Sequence, residues 1–164
     1  MTKDGTDLKL STYQKWILIY FLKNTTNNAR TEALVDNMCL SAIMDFDITK
    51  FKHDIQILSD SGLISKNEDQ YGNFLGYGST MEGRLYVKQK IIAPLITARN
   101  KNKINEIAHY LQGHPNQQII NEILAALETP DQSNFLLRIA NVAINNISSF
   151  LDILDKIGKM SGLL

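Results

Sequence analysis

The chain has 164 residues, 44% of them hydrophobic and 21% charged, with 17 basic side chains against 17 acidic ones. Such a composition suits a folded chain of one compact domain, or a small domain with a sizeable extension, and excludes disorder as the default. It also excludes an intrachain disulfide, since Cys39 is the single cysteine, and it lacks the strongly basic balance that advertises many nucleic-acid-binding domains.

Dividing the chain near Lys90 leaves each half balanced in charge. Cys39 lies between Met38 and Leu40 and reads as a buried structural thiol rather than a nucleophile. One cysteine fits a reducing, cytoplasmic setting. The opening residues 1–11 are polar and lack the apolar core of a signal peptide, and the apolar clusters 16–22 and 91–96 are too short to span a bilayer. No membrane partner is expected.

In chain order, the first helix is expected over residues 12–23. Ser11 or Thr12 would cap it, and Tyr13, Trp16, Ile17, Tyr20 and Phe21 recur at helical spacing. The polar run 24–28 ends it. A short second helix starts at Thr31, with Glu32 in its first turn and Ala33, Leu34 and Met38 inward, and residues 39–45 read as a turn. The third helix is the best marked. Asp47 suits its N-cap, Ile48, Phe51, Ile55 and Leu58 follow at three- and four-residue steps toward a core, and Gly62 suits a left-handed C-terminal cap.

Strands over 64–67 and about 74–78 would pair across the polar loop 68–73. Another helix opens at Thr80 and runs toward Ile92, where Pro94 bends or restarts it. The remainder reads as helical, over 103–111, 116–127 and one long element from the Asp131 cap to Lys159. At a rise of about 1.5 Å per residue, that last helix would be about 40 Å long.

No constellation in the chain carries chemistry. His53, His109 and His114 are scattered, and no two stand at i, i+4 with a carboxylate between metal-ligand positions. Gly72, Gly76 and Gly78 fit neither phosphate-cradling fingerprint. No catalytic residue, metal ligand or cofactor is assigned, and enzymatic activity is not expected.

The order helix, helix, helix, hairpin, helix carries two further signals. In segment 48–64, ITKFKHDIQILSDSGLI, Leu58 is followed by Gly62, Leu63 and Ile64; downstream stands Ser79-Thr80-Met81-Glu82-Gly83-Arg84. Together these resemble the recognition helix, first wing strand and post-wing Leu-Thr-x-x-Gly-Arg signature of winged helix-turn-helix transcription regulators, with Ser79 where an apolar residue is usual. The resemblance covers about half of the chain. It implies a mainly α fold with a small β-hairpin wing: a winged helix-turn-helix DNA-binding domain over 10–92 and a C-terminal helical extension over 93–164. The implied partner is double-stranded DNA, with the third helix in the major groove and the wing on the adjacent backbone.

Turning Ile48, Phe51, Ile55 and Leu58 inward leaves Thr49, Lys50, Lys52, His53 and Gln56 exposed for base edges and phosphates. The wing adds Lys66, Asn67, Gln70, Tyr71 and Asn73. Asp54 and Asp60 would repel phosphates and should point away.

The last helix carries a broad apolar band that must be covered. The reading is a homodimer interface made by Phe135, Ile139, Val142, Ile147, Phe150, Leu151 and Leu154, an architecture similar to that of MarR-like and PadR-like regulators; a bundle within the chain is the alternative. A second functional reading, supported by the zero net charge, is a winged-helix interaction adaptor in a larger assembly such as one for replication or partition, with the helical tail as docking surface. A third is ligand sensing between the C-terminal helices, with no residue naming an effector.

Overall fold

The structure, a computed structural model, describes residues 9–23 and 47–160. The expected helix from Thr31 and the turn over 39–45, Cys39 included, lie outside the described residues. The described elements are α1 (Thr12–Lys23), α2 (Ile48–Asp60), β1 (Ile64–Glu68), β2 (Phe74–Ser79), α3 (Met81–Tyr86), a π-helical turn (Val87–Ile91), α4 (Ala93–Asn100), α5 (Ile104–Tyr110), α6 (Gln117–Leu127), α7 (Gln132–Asn145) and α8 (Ile147–Gly158). Among the described residues the architecture is mainly helical with one two-stranded antiparallel hairpin. The chain divides into two compact units, Met1–Val87 and Lys88–Leu164. Among the described residues no helix is long and apolar enough to cross a membrane.

In the first unit, α1 begins with a reciprocal capping box. Ser11 Oγ accepts from the Gln14 amide at 3.2 Å, and Gln14 Oε1 accepts from the Ser11 amide at 3.0 Å. Ser11, rather than Thr12, is therefore the cap. Trp16, Ile17, Leu18, Ile19 and Phe21 are all 2% exposed or less. Four successive buried side chains cannot lie on one face of a helix, so α1 is central, with α2, α3 and β2 packed around it.

Asp47 caps α2 by accepting from the amides of Thr49 and Lys50. Phe51, Ile55 and Leu58 are buried as their spacing predicts. Ile48 is not: at the first helical position it stands at the end of the row and remains 42% exposed. The helix closes with bonds from Leu63 N to Leu58 O at 3.0 Å and from Gly62 N to Ser59 O at 3.1 Å. Gly62 adopts φ +79°, as this left-handed closure demands. Leu63 and Ile64 are thereby delivered into the core.

The hairpin pairs Ile64 with Ser79 and Asn67 with Gly76, and then Glu68 with Phe74. Leu75 is the extra residue of a bulge in β2, beside Gly76 at φ +139°. β2 runs through Ser79, and Thr80 caps α3. Its hydroxyl accepts from the Gly83 amide at 2.9 Å and donates toward the carbonyls of Gly62 (2.8 Å) and Leu63 (2.9 Å), which share one proton. A Cβ at position 83 would fall on the Leu63 carbonyl. The Thr-x-x-Gly spacing is thus a docking device between α3 and the α2–β1 corner.

In the second unit, Pro94 lies in the first turn of α4, where its missing amide costs little. α6 packs against α4, α5, α7 and α8, and α8 also meets α4 and α7. The single long helix expected from Asp131 to Lys159 is two helices. Asn146, at φ −147° and ψ 47°, leaves the helical region, and its side chain donates to Val142 O at 3.2 Å. The break lets α8 fold back on α7, and α6 and α4 pack against the pair, so the apolar rows are covered within the unit. A continuous rod could not do that.

Gly83→Ala is expected to destabilise the protein by about 2 to 3 kcal/mol, because backbone rather than a movable side chain blocks the new methyl. Urea denaturation should show a lower midpoint with unchanged slope.

Candidate nucleic-acid interface

α2 presents two distinct polar surfaces. Thr49, Lys52, His53 and Gln56 recur at i, i+3, i+4 and i+7, all exposed, on the face opposite Phe51, Ile55 and Leu58. This stripe is the surface the sequence predicted. Lys50 lies on its flank and serves a different purpose.

Lys50 Nζ donates to Asp54 Oδ2 at 2.9 Å and lies 5.1 Å from the centroid of the Tyr13 ring. Asp54, 3% exposed, also accepts from Gln14 Nε2 at 3.0 Å through its other oxygen. Both carboxylate oxygens are therefore satisfied, as burial requires. Lys50 was expected to face a nucleic acid; its ammonium instead neutralises the buried Asp54 and ties α2 to α1. Asp54 does point away from the exposed stripe, as expected. Asp60 stays exposed and accepts from Gln56 Nε2 at 2.7 Å, so the Gln56 amide must leave Asp60 before it can pair with a base.

The hairpin adds Lys66, exposed, with its ammonium 5.9 Å from the centroid of Phe74. Asn67 is half-buried, and Tyr71 is 79% exposed. Asn73 is exposed but committed: its amide donates to Asp69 Oδ1 at 2.9 Å and its side chain to Asp69 Oδ2 at 3.1 Å. The Tyr71 amide also donates to Oδ1, at 2.8 Å. These bonds, those from Asn73 foremost, hold the Asp69 carboxyl below the ordinary carboxylate range. Sequence reasoning named Asn73 and missed Asp69, the residue that organises the tip. An Asp two residues before the turn's glycine-containing apex was the available signal. Phe74 and Leu75 leave an apolar edge exposed beside it.

Charge on this surface is not basic. Over residues 47–79, Lys50, Lys52 and Lys66 stand against Asp47, Asp54, Asp60, Glu68 and Asp69. With Lys50 and Asp54 paired, Lys52 and Lys66 are the cations this segment offers to a partner.

In the second unit, Phe135, Ile139, Val142, Ile147, Phe150 and Leu154 are between 0% and 8% exposed, and Leu151 is half-buried. The expected dimer surface is thus the chain's own core, because the Asn146 break folds its two halves together. An open, largely apolar groove of about 470 Å³ is lined by Asn105, Glu106, His109, Tyr110 and Met160. Among the described residues no three His, Cys, Asp or Glu side chains gather as a metal site.

Comparison with known protein families, with curated proteins and with solved structures found no match.

Lys50→Ala should destabilise the protein by about 1 to 3 kcal/mol by leaving the buried Asp54 charge with one partner fewer. A double-mutant cycle with Asp54→Asn should return a coupling energy of about 1 kcal/mol. For Asp69, the folded carboxyl titrates below its unfolded counterpart. Its contribution is complete above the ordinary value of about 3.9 and disappears as the pH falls through the lower folded value. The Tyr71 and Asn73 amide resonances should shift together in that acid window.

Proposed function

We propose that the first unit is a winged-helix-type module that binds double-stranded DNA sequence-specifically, in the service of transcriptional regulation. The observation that carries this reading is the uncovered polar stripe Thr49, Lys52, His53 and Gln56 on a helix whose C-terminal end is locked to a protruding hairpin. A helix of this diameter fits the major groove, where His53 and Gln56 have the chemistry to read base edges and Lys52 to meet guanine or phosphate. Lys66, one strand away, suits the adjacent backbone. Lys50 is left out of the contact set, and no self-association is placed on the buried α7–α8 band.

A second reading, docking of a protein partner, is favoured by the excess of carboxylates over 47–79 and by the exposed Tyr71, Phe74 and Leu75 edge. The two readings diverge in titrations with labelled duplexes. Under DNA binding, Lys52→Ala and Lys66→Ala each lower affinity severalfold and make the log–log salt dependence shallower by about 0.9 per lost phosphate contact. Tyr71→Ser should change it little. Absence of binding to any duplex in a random-sequence pool at about 50 mM salt would overturn the DNA reading.

A further inference from the structure

The groove of about 470 Å³ in the second unit has a chemical character of its own. Asn105, Glu106, His109 and Tyr110 stand at i, i+1, i+4 and i+5 of α5, all exposed, while Ile107 turns into the core. Met160, half-buried just beyond the end of α8, joins them in lining it. The volume falls within the range of small-molecule sites, about 300 to 1,000 Å³. The Tyr110 ring is 51% exposed, an aromatic face left to a partner.

The charges around the groove do not cancel. On α8, Lys156 is shared between Asp152 at 3.7 Å and His114 Nε2 at 3.2 Å. Lys159 lies close enough to Tyr110 to sense its hydroxyl, but its ammonium is bound to Asp155 at 2.9 Å. Glu106 has no such counterpart. Among the described residues it makes no ion pair or hydrogen bond, and Lys103, three residues earlier, does not pair with it. Met160 also follows the C-terminal end of α8, where carbonyls without helical partners carry partial negative charge.

We propose that this groove binds an organic cation: an ammonium group carried on an apolar body. Glu106 and Tyr110 are i, i+4 neighbours on α5, so the carboxylate and the ring face can share one cation between them. The thioether of Met160 is a soft, polarisable surface for the apolar part. Other ligand classes fit less well. An anion meets the Glu106 charge. A neutral apolar body strips water from Glu106 and returns no charge to it. A hard divalent metal needs several oxygen ligands where the lining offers one carboxylate. The groove lies wholly within the second unit, so the site is independent of the stripe on α2.

The test titrates the full chain with benzyltrimethylammonium and, separately, with benzenesulfonate, an anion of similar size, at about 50 mM salt. The cation should move the Tyr110 ring and Met160 methyl resonances along one saturable curve, with a Kd in the millimolar range expected of so small a ligand on an open surface. The anion should leave them in place. Tyr110→Phe keeps the ring and should keep the affinity, whereas Tyr110→Ala and Glu106→Gln should each weaken it about threefold or more. Glu122→Gln, on α6 and outside the lining, should change nothing. Equal binding of the anion, no saturation by about 50 mM cation, or unchanged affinity in Glu106→Gln would each overturn the site. So would contacts from Leu163 or Leu164 to the Tyr110 ring that persist at the highest probe concentration, since the chain itself would then fill the groove. The comparison of cation with anion on the unaltered chain decides alone if a variant does not fold.

Discussion

The backbone of α3 passes so close to the carbonyl of Leu63 that position 83 has no room for a side chain. That approach organises the first unit. α2 ends in a left-handed Gly62, the chain turns into β1 at Leu63, and the hairpin returns through Ser79 to the same corner. Thr80 then spans the gap, capping α3 with one lone pair and bonding the Gly62–Leu63 carbonyls with its proton. The end of α2, the root of the hairpin and the start of α3 are one hydrogen-bonded knot, so the α2 stripe and the hairpin keep a constant relative geometry.

A second constraint decides which polar groups remain available. Asp54 is buried on the side of α2 that meets α1 and needs two donors; Gln14 and Lys50 supply them. With the exposed Lys50 paired to Asp54, the surface has little uncommitted positive charge, and the Asp69-centred tip adds a carboxylate held in its ionised form. Any nucleic acid bound here would be recognised with few phosphate contacts and correspondingly weak salt dependence. The exposed aromatic and aliphatic edge of the hairpin is the feature that keeps a protein partner in view.

The second unit is governed by a break rather than by a join. Asn146 divides what the hydrophobic pattern offers as a single helix, and the folded-back arrangement buries Phe135, Ile139, Phe150 and Leu154 within the chain. The apolar band is thereby core.

What could be read from the sequence was local. Ser11, Asp47, Gly62, Thr80 and Asp131 mark helix ends because the groups they satisfy lie two to five residues away, inside the reach of one turn. The hairpin was legible for the same reason, through its glycine-containing polar loop. The tertiary structure decided everything that depends on which surfaces meet. Gln14 and Asp54 are 40 residues apart, and Lys156 stands 42 residues from His114, so no spacing rule pairs them. Asn146 breaks a helix without being glycine or proline, because mutual burial of α7 and α8 outweighs the loss of one helical residue. Periodicity tells which side chains must be covered; only packing determines whether a second copy or the same chain covers them, and here it is the same chain.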